Sequence, residues 1–148
     1  IGMATCELLA SKGIDLLIVG RNQEQLQSLK ERLSSQVAVE SFQADLAQAE
    51  GRQYMISILH ERTPDLVINN AGFGFYGEAL TYSTNEQVDI LEVNGRAVLE
   101  LTLEAARALV SKEKKGVILN VSSAAGFQVF PNMAVYAASK AFVNRFSE

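Results

Sequence analysis

Residues 65–77 read DLVINNAGFGFYG. The run from Asp65 to Asn69 is short and apolar, preceded by Pro64 and followed by a glycine-rich stretch, which is the pattern of a strand covered on both faces. Three other runs predict strands: DLLIV at 15–19, the alternating VAVESF at 37–42, and GVILNV at 116–121. Helical periodicity fills most of the chain between them. GMATCELLASKG at 2–13 can set Ala4, Leu8 and Leu9 on one face and stop at Gly13. From Asn22, a candidate cap, Leu26, Leu29 and Leu33 recur at intervals of three and four residues. Residues 49–62 offer Tyr54, Met55, Ile58 and Leu59 to another helix. Asn85 to Lys112 is helical, a short helix leading into a longer one whose apolar members include Leu91, Val98, Leu101, Leu109 and Val110. A last helix opens near Val135. Strands alternating with helices predict an α/β fold with a parallel sheet.

Composition narrows the classes. With 148 residues, 48% hydrophobic and 20% charged, the chain can bury one core but not two full domains. A formal net charge of −4 argues against a nucleic-acid or anionic-membrane partner. No apolar run approaches the roughly 20 residues of a spanning helix. The single Cys6 and single His60 are a poor stock of metal ligands, so no metal is expected, and the lone cysteine fits a reducing, cytoplasmic compartment. His60 itself is expected to serve structure or face solvent.

Four groups could carry chemistry. Tyr136 and Lys140, in YAASK, lie four residues apart on a helix and so share a face. An ammonium held beside a phenol stabilises the phenolate and makes a proton donor and acceptor. NVSSAAG at 120–126 sends a strand directly into two hydroxyls, and sites of open parallel sheets lie beyond the carboxyl ends of strands. Ser122 or Ser123 could hold a carbonyl oxygen, or both could satisfy turn amides or cap a helix. NNAG at 69–72 follows another strand, where asparagines can tie strand ends together and Gly72 admits close approach. Asn94, inside a helical stretch, can bond backbone or water and distort the helix locally. A serine esterase is disfavoured, because no G-x-S-x-G elbow is present and the only histidine sits upstream in a helix.

Together, NNAG at 69–72, Asn94, the serine before Ala-Ala-Gly at Ser123, and Tyr136 thirteen residues later with Lys140 strongly resemble the short-chain dehydrogenase/reductase family. The resemblance covers essentially the whole chain. It implies a Rossmann-like, doubly wound parallel sheet, incomplete here: residues 1–148 would be part of a dinucleotide-binding domain, with Ile1 and Gly2 the last two residues of the family's TGxxxGIG loop and with the first strand and the C-terminal strands absent. On that basis the intact parent is expected to be active and the 148-residue piece to show negligible activity.

The resemblance also implies roles. Tyr136 would exchange a proton with the substrate oxygen, Ser123 would orient and polarise the carbonyl, Lys140 would bond the nicotinamide ribose, and Asn94 would support a water-linked proton relay. Asp45 and Leu46 resemble an adenine-contact turn. Asn70, Ala71 and Gly72 would lie along the cofactor, and Gly2 beneath the pyrophosphate. The second strand of such folds often ends in an acid that binds a ribose 2′-hydroxyl, whereas here Gly20 and Arg21 follow DLLIV. Arg21 can pair with a 2′-phosphate, which selects NADP over NAD. Phe73, Phe75, Tyr76, Phe127, Val129 and Phe130 favour a small hydrophobic carbonyl or alcohol substrate. The helices around 86–112 and 135–148 resemble those through which relatives form homodimers or homotetramers. The alternative is a dinucleotide-binding regulatory or structural protein without turnover.

Overall fold

The leucine stripe at 26, 29 and 33 is fully committed to a core in the structure, a computed structural model describing residues 1–148. The chain falls into two compact units, Ile1–Asp45 and Leu46–Glu148. In the first, helix α1 (Gly2–Ser11) leads to strand β1 (Leu16–Gly20), helix α2 (Gln23–Leu33) and strand β2 (Val39–Gln43). Asn22 caps α2 as expected, its Oδ1 accepting from the Gln25 N–H at 2.9 Å. The two strands are parallel, with Leu16 opposite Val39 and Gly20 opposite Gln43. Leu16, Ile18 and Val39 close on the three leucines and Ala10, and each buried leucine contributes about 2 kcal/mol.

The starts of both strands differ from the expected ones for local reasons. Asp15 lies outside β1, its carboxylate accepting from the Ala38 N–H at 2.9 Å. Val37 is held by Leu33 O, so β2 begins two residues later than alternation suggests. The face of α1 also differs. Ala10 is buried, with Cys6 and Leu9 packed beside it, while Leu8 is 60% exposed and Ala4 faces solvent. Position relative to β1 and α2 decides that face, and α1 alone, apolar nearly all round, does not specify it.

The second unit carries helix α3 (Ala49–Arg62), strand β3 (Leu66–Asn69), helix α4 (Thr84–Leu91), helix α5 (Val98–Ser111), strand β4 (Val117–Asn120) and helix α6 (Ala134–Phe146). Strands β3 and β4 are parallel, Leu66 opposite Val117 and Asn69 opposite Asn120. The helices α3 and α5 pack together, and α5 also lies on both strands. Ile58, Leu59, Leu101, Ala105 and Leu109 are among the buried apolar residues here. Helix α4 starts with a capping box: Ser83 Oγ accepts from the Glu86 N–H, and the Glu86 carboxylate accepts from the Ser83 N–H at 2.8 Å. The long helical stretch is divided, as the sequence suggests, by a π-helical turn at Glu92–Ala97. Tyr54 and Val110, expected among the apolar members of their helices, are 46% and 77% exposed.

Arg52, on α3, is only 2% exposed although it is a cation. Its guanidinium meets Glu92 and Glu100 at 3.0 Å each and donates to the backbone oxygens of Leu46 and Ala47 at 2.9 and 2.8 Å. Arg96 braces the same two carboxylates from the exposed side at 3.5 and 2.8 Å. This network ties the 46–47 turn to the π turn and to the start of α5. No helix is long and apolar enough to cross a membrane.

Candidate active site

Four of the expected residues converge in the second unit because β3 and β4 run parallel and end side by side. At those ends the Asn69 amide donates to Asn120 Oδ1 at 2.8 Å and to Thr102 Oγ1 at 3.0 Å. Thr102 Oγ1 donates to Asn120 Oδ1 at 3.1 Å, so β3, β4 and α5 are locked together. This is the strand-end tie anticipated for NNAG, and Asn69 makes it. The loop from Asn70 leaves β3, and the serine segment leaves β4 on the same side.

Asn94 sits in the π turn and is completely buried. Its Oδ1 accepts from the Phe73 N–H at 3.0 Å, and its Nδ2 donates to Phe73 O at 2.8 Å and to Ser139 Oγ at 3.0 Å. The wider π turn accompanies this inward amide, in line with the expected local distortion. Asn94 therefore clamps the backbone just after NNAG to helix α6. Ser139 Oγ in turn donates to Tyr136 O at 2.7 Å.

Lys140, one turn beyond Tyr136, is 4% exposed. Its Nζ donates to Val121 O at 2.8 Å and lies 5.9 Å from the centroid of the Tyr136 ring. Burial penalises the ammonium and moves the Lys140 pKa below the ordinary lysine value. A Cβ added to Gly72 would stand 3.0 Å from Asn94 Oδ1 and 3.3 Å from Lys140 Nζ, so the backbone of residue 72 rests directly on both polar groups.

The two serines make different bonds, and only Ser123 takes the turn-capping role considered from the sequence. Ser122 Oγ donates to Lys140 O at 3.0 Å, which anchors the serine segment to α6. Ser123 Oγ accepts from the Ala125 N–H at 3.2 Å and caps a short 3-10 turn at Ala124–Gly126. That bond uses an oxygen lone pair and not the hydroxyl proton. Ser123 and Tyr136 both line an open cleft of about 440 Å³, with Gly72, Phe73, Gly74, Phe130 and Met133 among its other walls. A smaller cavity of about 150 Å³ touches Tyr136 as well and is lined by Phe75, Tyr82 and Ile90, among others.

The aromatic residues after NNAG behave differently from one another. Phe73 meets Phe75 edge to face at 5.8 Å, and Phe75 stacks on Tyr82 at 4.4 Å. Tyr76, Phe127 and Val129 are 68%, 79% and 92% exposed, and Phe130 is 40% exposed. The other expected cofactor positions are distributed between the units. Asn70 is half-buried, Ala71 is exposed and Leu46 is buried in the second unit. In the first unit Gly2 opens α1, Arg21 follows β1 and Asp45 follows β2. The Gln43 side chain donates to Arg21 O at 3.1 Å. His60 is exposed and paired with Glu104 at 2.9 Å.

Sequence reading missed Ser139, Gly74 and Arg52. Only Gly74 left a local signal, as the second glycine of the AGFG run after β3. Ser139 and Arg52 look like ordinary helix residues until the elements are packed.

The family model described as short chain dehydrogenase matches residues 1–148. Among curated relatives, an uncharacterized oxidoreductase of Staphylococcus aureus (strain MW2) is 30% identical over 150 residues, covering 100% of this chain and 64% of the relative. The inactive hydroxysteroid dehydrogenase-like protein 1 of Homo sapiens is 29% identical, covering 99% of this chain and 46% of its own length. The solved bulky-bulky ketone specific alcohol dehydrogenase from Comamonas testosteroni superposes with a TM-score of 0.93 at 30% identity, covering 99% of this chain and 59% of that one. A short-chain dehydrogenase from Sphingobium yanoikuyae in complex with NADPH gives 0.87 at 30% identity, covering 99% and 58%. An NAD+-bound xylitol dehydrogenase gives 0.86 at 25% identity, covering 98% and 57%. The chain spans 64% of the length of the Staphylococcus relative, and its parallel strand pairs with their helices match Rossmann-like structures. Matched along its whole length by that family model, and carrying the asparagine, serine, tyrosine and lysine at one end of its β3–β4 pair, the chain belongs to the short-chain dehydrogenase family.

Proposed function

We propose that this chain belongs to an NADP-dependent oxidoreductase that interconverts a small hydrophobic carbonyl compound and its secondary alcohol. The observation that carries the reading is the shared cleft wall of Ser123 and Tyr136, with the buried Lys140 ammonium 5.9 Å from the tyrosine ring. In reduction, Tyr136 Oη gives its proton to the substrate oxygen while the Ser123 hydroxyl donates a hydrogen bond to the same atom. In oxidation, the phenolate takes the proton back from the alcohol. A nicotinamide dinucleotide, when bound, supplies or accepts the hydride.

The residues present fit such a cofactor. Lys140 has three N–H donors and spends one on Val121 O, a donor set suited to ribose hydroxyls. Gly72 keeps the backbone low over Lys140 and Asn94, where a Cβ would crowd both. Asn70, Ala71, Gly72, Tyr136 and Lys140 are assigned to the nicotinamide side, and Gly2, Arg21, Asp45 and Leu46 to the adenine and phosphate side. Asn94 is assigned the support of a proton relay through the loop it clamps. Phe73, Phe130 and Met133 on the cleft wall support an apolar substrate, whereas Tyr76, Phe127 and Val129 lie outside that wall. Homodimers or homotetramers and a cytoplasmic location complete the reading.

Arg21 is the reason for NADP. Among the similar structures one holds NADPH and another NAD+, so the chain's own residue must decide. The decisive experiment is nicotinamide fluorescence titration of the full-length protein with NADPH and NADH. Saturable binding with NADPH favoured supports the reading, and a folded protein that binds neither rejects it. Arg21→Asp is expected to weaken NADPH by at least about tenfold more than NADH, because it removes a charge-assisted pair and adds a repelling carboxylate. Unchanged selectivity would reject the phosphate-pairing role. The human relative described as inactive makes the second reading concrete: tight NADPH binding without turnover on a broad carbonyl panel would assign a regulatory or structural role.

A further inference from the structure

In the loop after β3, Gly74 lies directly against the candidate proton donor. A Cβ built at Gly74 would lie 2.5 Å from Tyr136 Cδ2, 2.7 Å from Cγ and 2.8 Å from Cβ. All three distances are far inside van der Waals contact, near 3.5 to 4.0 Å between carbons. The third is the informative one. The Cβ of Tyr136 is fixed by the backbone of α6, so no rotation of the ring relieves that contact.

Nothing in the backbone of Gly74 itself demands glycine. The glycines with positive φ are Gly13 and Gly77. The demand comes from Tyr136, and the loop has little freedom to retreat. On one side Phe73 is held through both its N–H and its carbonyl by the buried Asn94. On the other, Phe75 stacks on Tyr82, and the Gly77 N–H donates to Asn132 O at 2.9 Å. Residue 74 is therefore pressed onto Tyr136 between two fixed points.

We propose that Gly74 is a positioning residue for the reaction: its bare backbone forms the surface against which the Tyr136 ring is seated, so that the phenol points into the cleft beside Ser123. This deepens the catalytic reading above and rests on it. A methyl group at residue 74 must part the loop from α6 and carry the phenolic oxygen away from its place. Displacements of about 1 Å cost up to 100-fold in turnover.

The test compares four full-length proteins: the unchanged chain, Gly74→Ala, Tyr136→Phe and the double variant, each assayed for NADPH binding and for steady-state reduction of a panel of hydrophobic ketones. Gly74→Ala is expected to lower kcat by at least about tenfold with NADPH affinity kept within about twofold. In the Tyr136→Phe background the same change should alter kcat by less than about twofold, since the group it displaces is already gone. A merely structural effect would instead recur at full size in both backgrounds, and that outcome overturns the proposal. So does normal turnover of Gly74→Ala, and so does a Gly74→Ala protein that fails to fold or to bind NADPH, because the role then reaches beyond the tyrosine. Normal turnover of Tyr136→Phe would instead remove the catalytic reading itself, which keeps the two failures distinguishable.

Discussion

Tyr136→Phe in the full-length protein is expected to lose at least about 100-fold in kcat while NADPH affinity changes by less than about twofold. The substitution deletes one oxygen and keeps the ring, so the contact with Gly74 and the approach of Lys140 Nζ are preserved. Ser139 still bonds the residue through its backbone carbonyl, which the change does not touch. What disappears is the proposed proton donor to the substrate oxygen. Ser123 cannot replace it, since a serine hydroxyl is a poor acid, although it can still donate a hydrogen bond. A fall in kcat with intact cofactor binding is the signature of an interaction made in the transition state. Near-normal turnover would remove Tyr136 from the chemistry and leave the cleft as a binding site only.

The residues that were legible before the structure share one property: their chemistry depends on spacing along the chain. Tyr136 and Lys140 meet because a helix brings positions four apart onto one face, and NNAG and NVSSAAG lie together because parallel strands end on the same side. Three short apolar runs and one alternating run also located all four strands, with errors where a side chain or a helix end competed for backbone groups, as at Asp15 and Val37. Residues acting across elements were not legible. Ser139 looks like a small helix residue until Asn94, 45 positions earlier, bonds it. The face of α1 was misplaced because an apolar helix gains its orientation from its neighbours and not from its own periodicity. Ser123 and Asn94 show the limit from the other side. Sequence named both, but only packing shows that Asn94 spends its amide on Phe73 and Ser139, and that Ser123 caps a turn while lining the cleft.

Arg52 is the plainest case of a residue that only packing reveals, and Arg52→Met is expected to destabilise the protein by about 3 kcal/mol. Arginine at 2% exposure is tolerable because its guanidinium meets two carboxylates at 3.0 Å and two backbone oxygens within 2.9 Å. Methionine fills a similar volume but supplies no donor. The buried Leu46 carbonyl then loses its bond to residue 52, and leaving a buried acceptor unmet costs about 1–3 kcal/mol. Glu92 and Glu100 are still faced by Arg96 and stand about one quarter exposed, so they add less than fully buried charges would. Arg52→Lys should recover only part of the loss, because one ammonium cannot span both carboxylates and the turn in the geometry of the guanidinium fork. Urea denaturation of the full-length variants measures the difference directly. A loss below about 0.5 kcal/mol, the ordinary scale of surface substitutions, would show that the network is replaceable and that other contacts hold the π turn. A loss near the expected size places the stability of the Asn94 clamp in the hands of a residue on a different helix, since the π turn carrying Asn94 begins at the very glutamate that Arg52 binds.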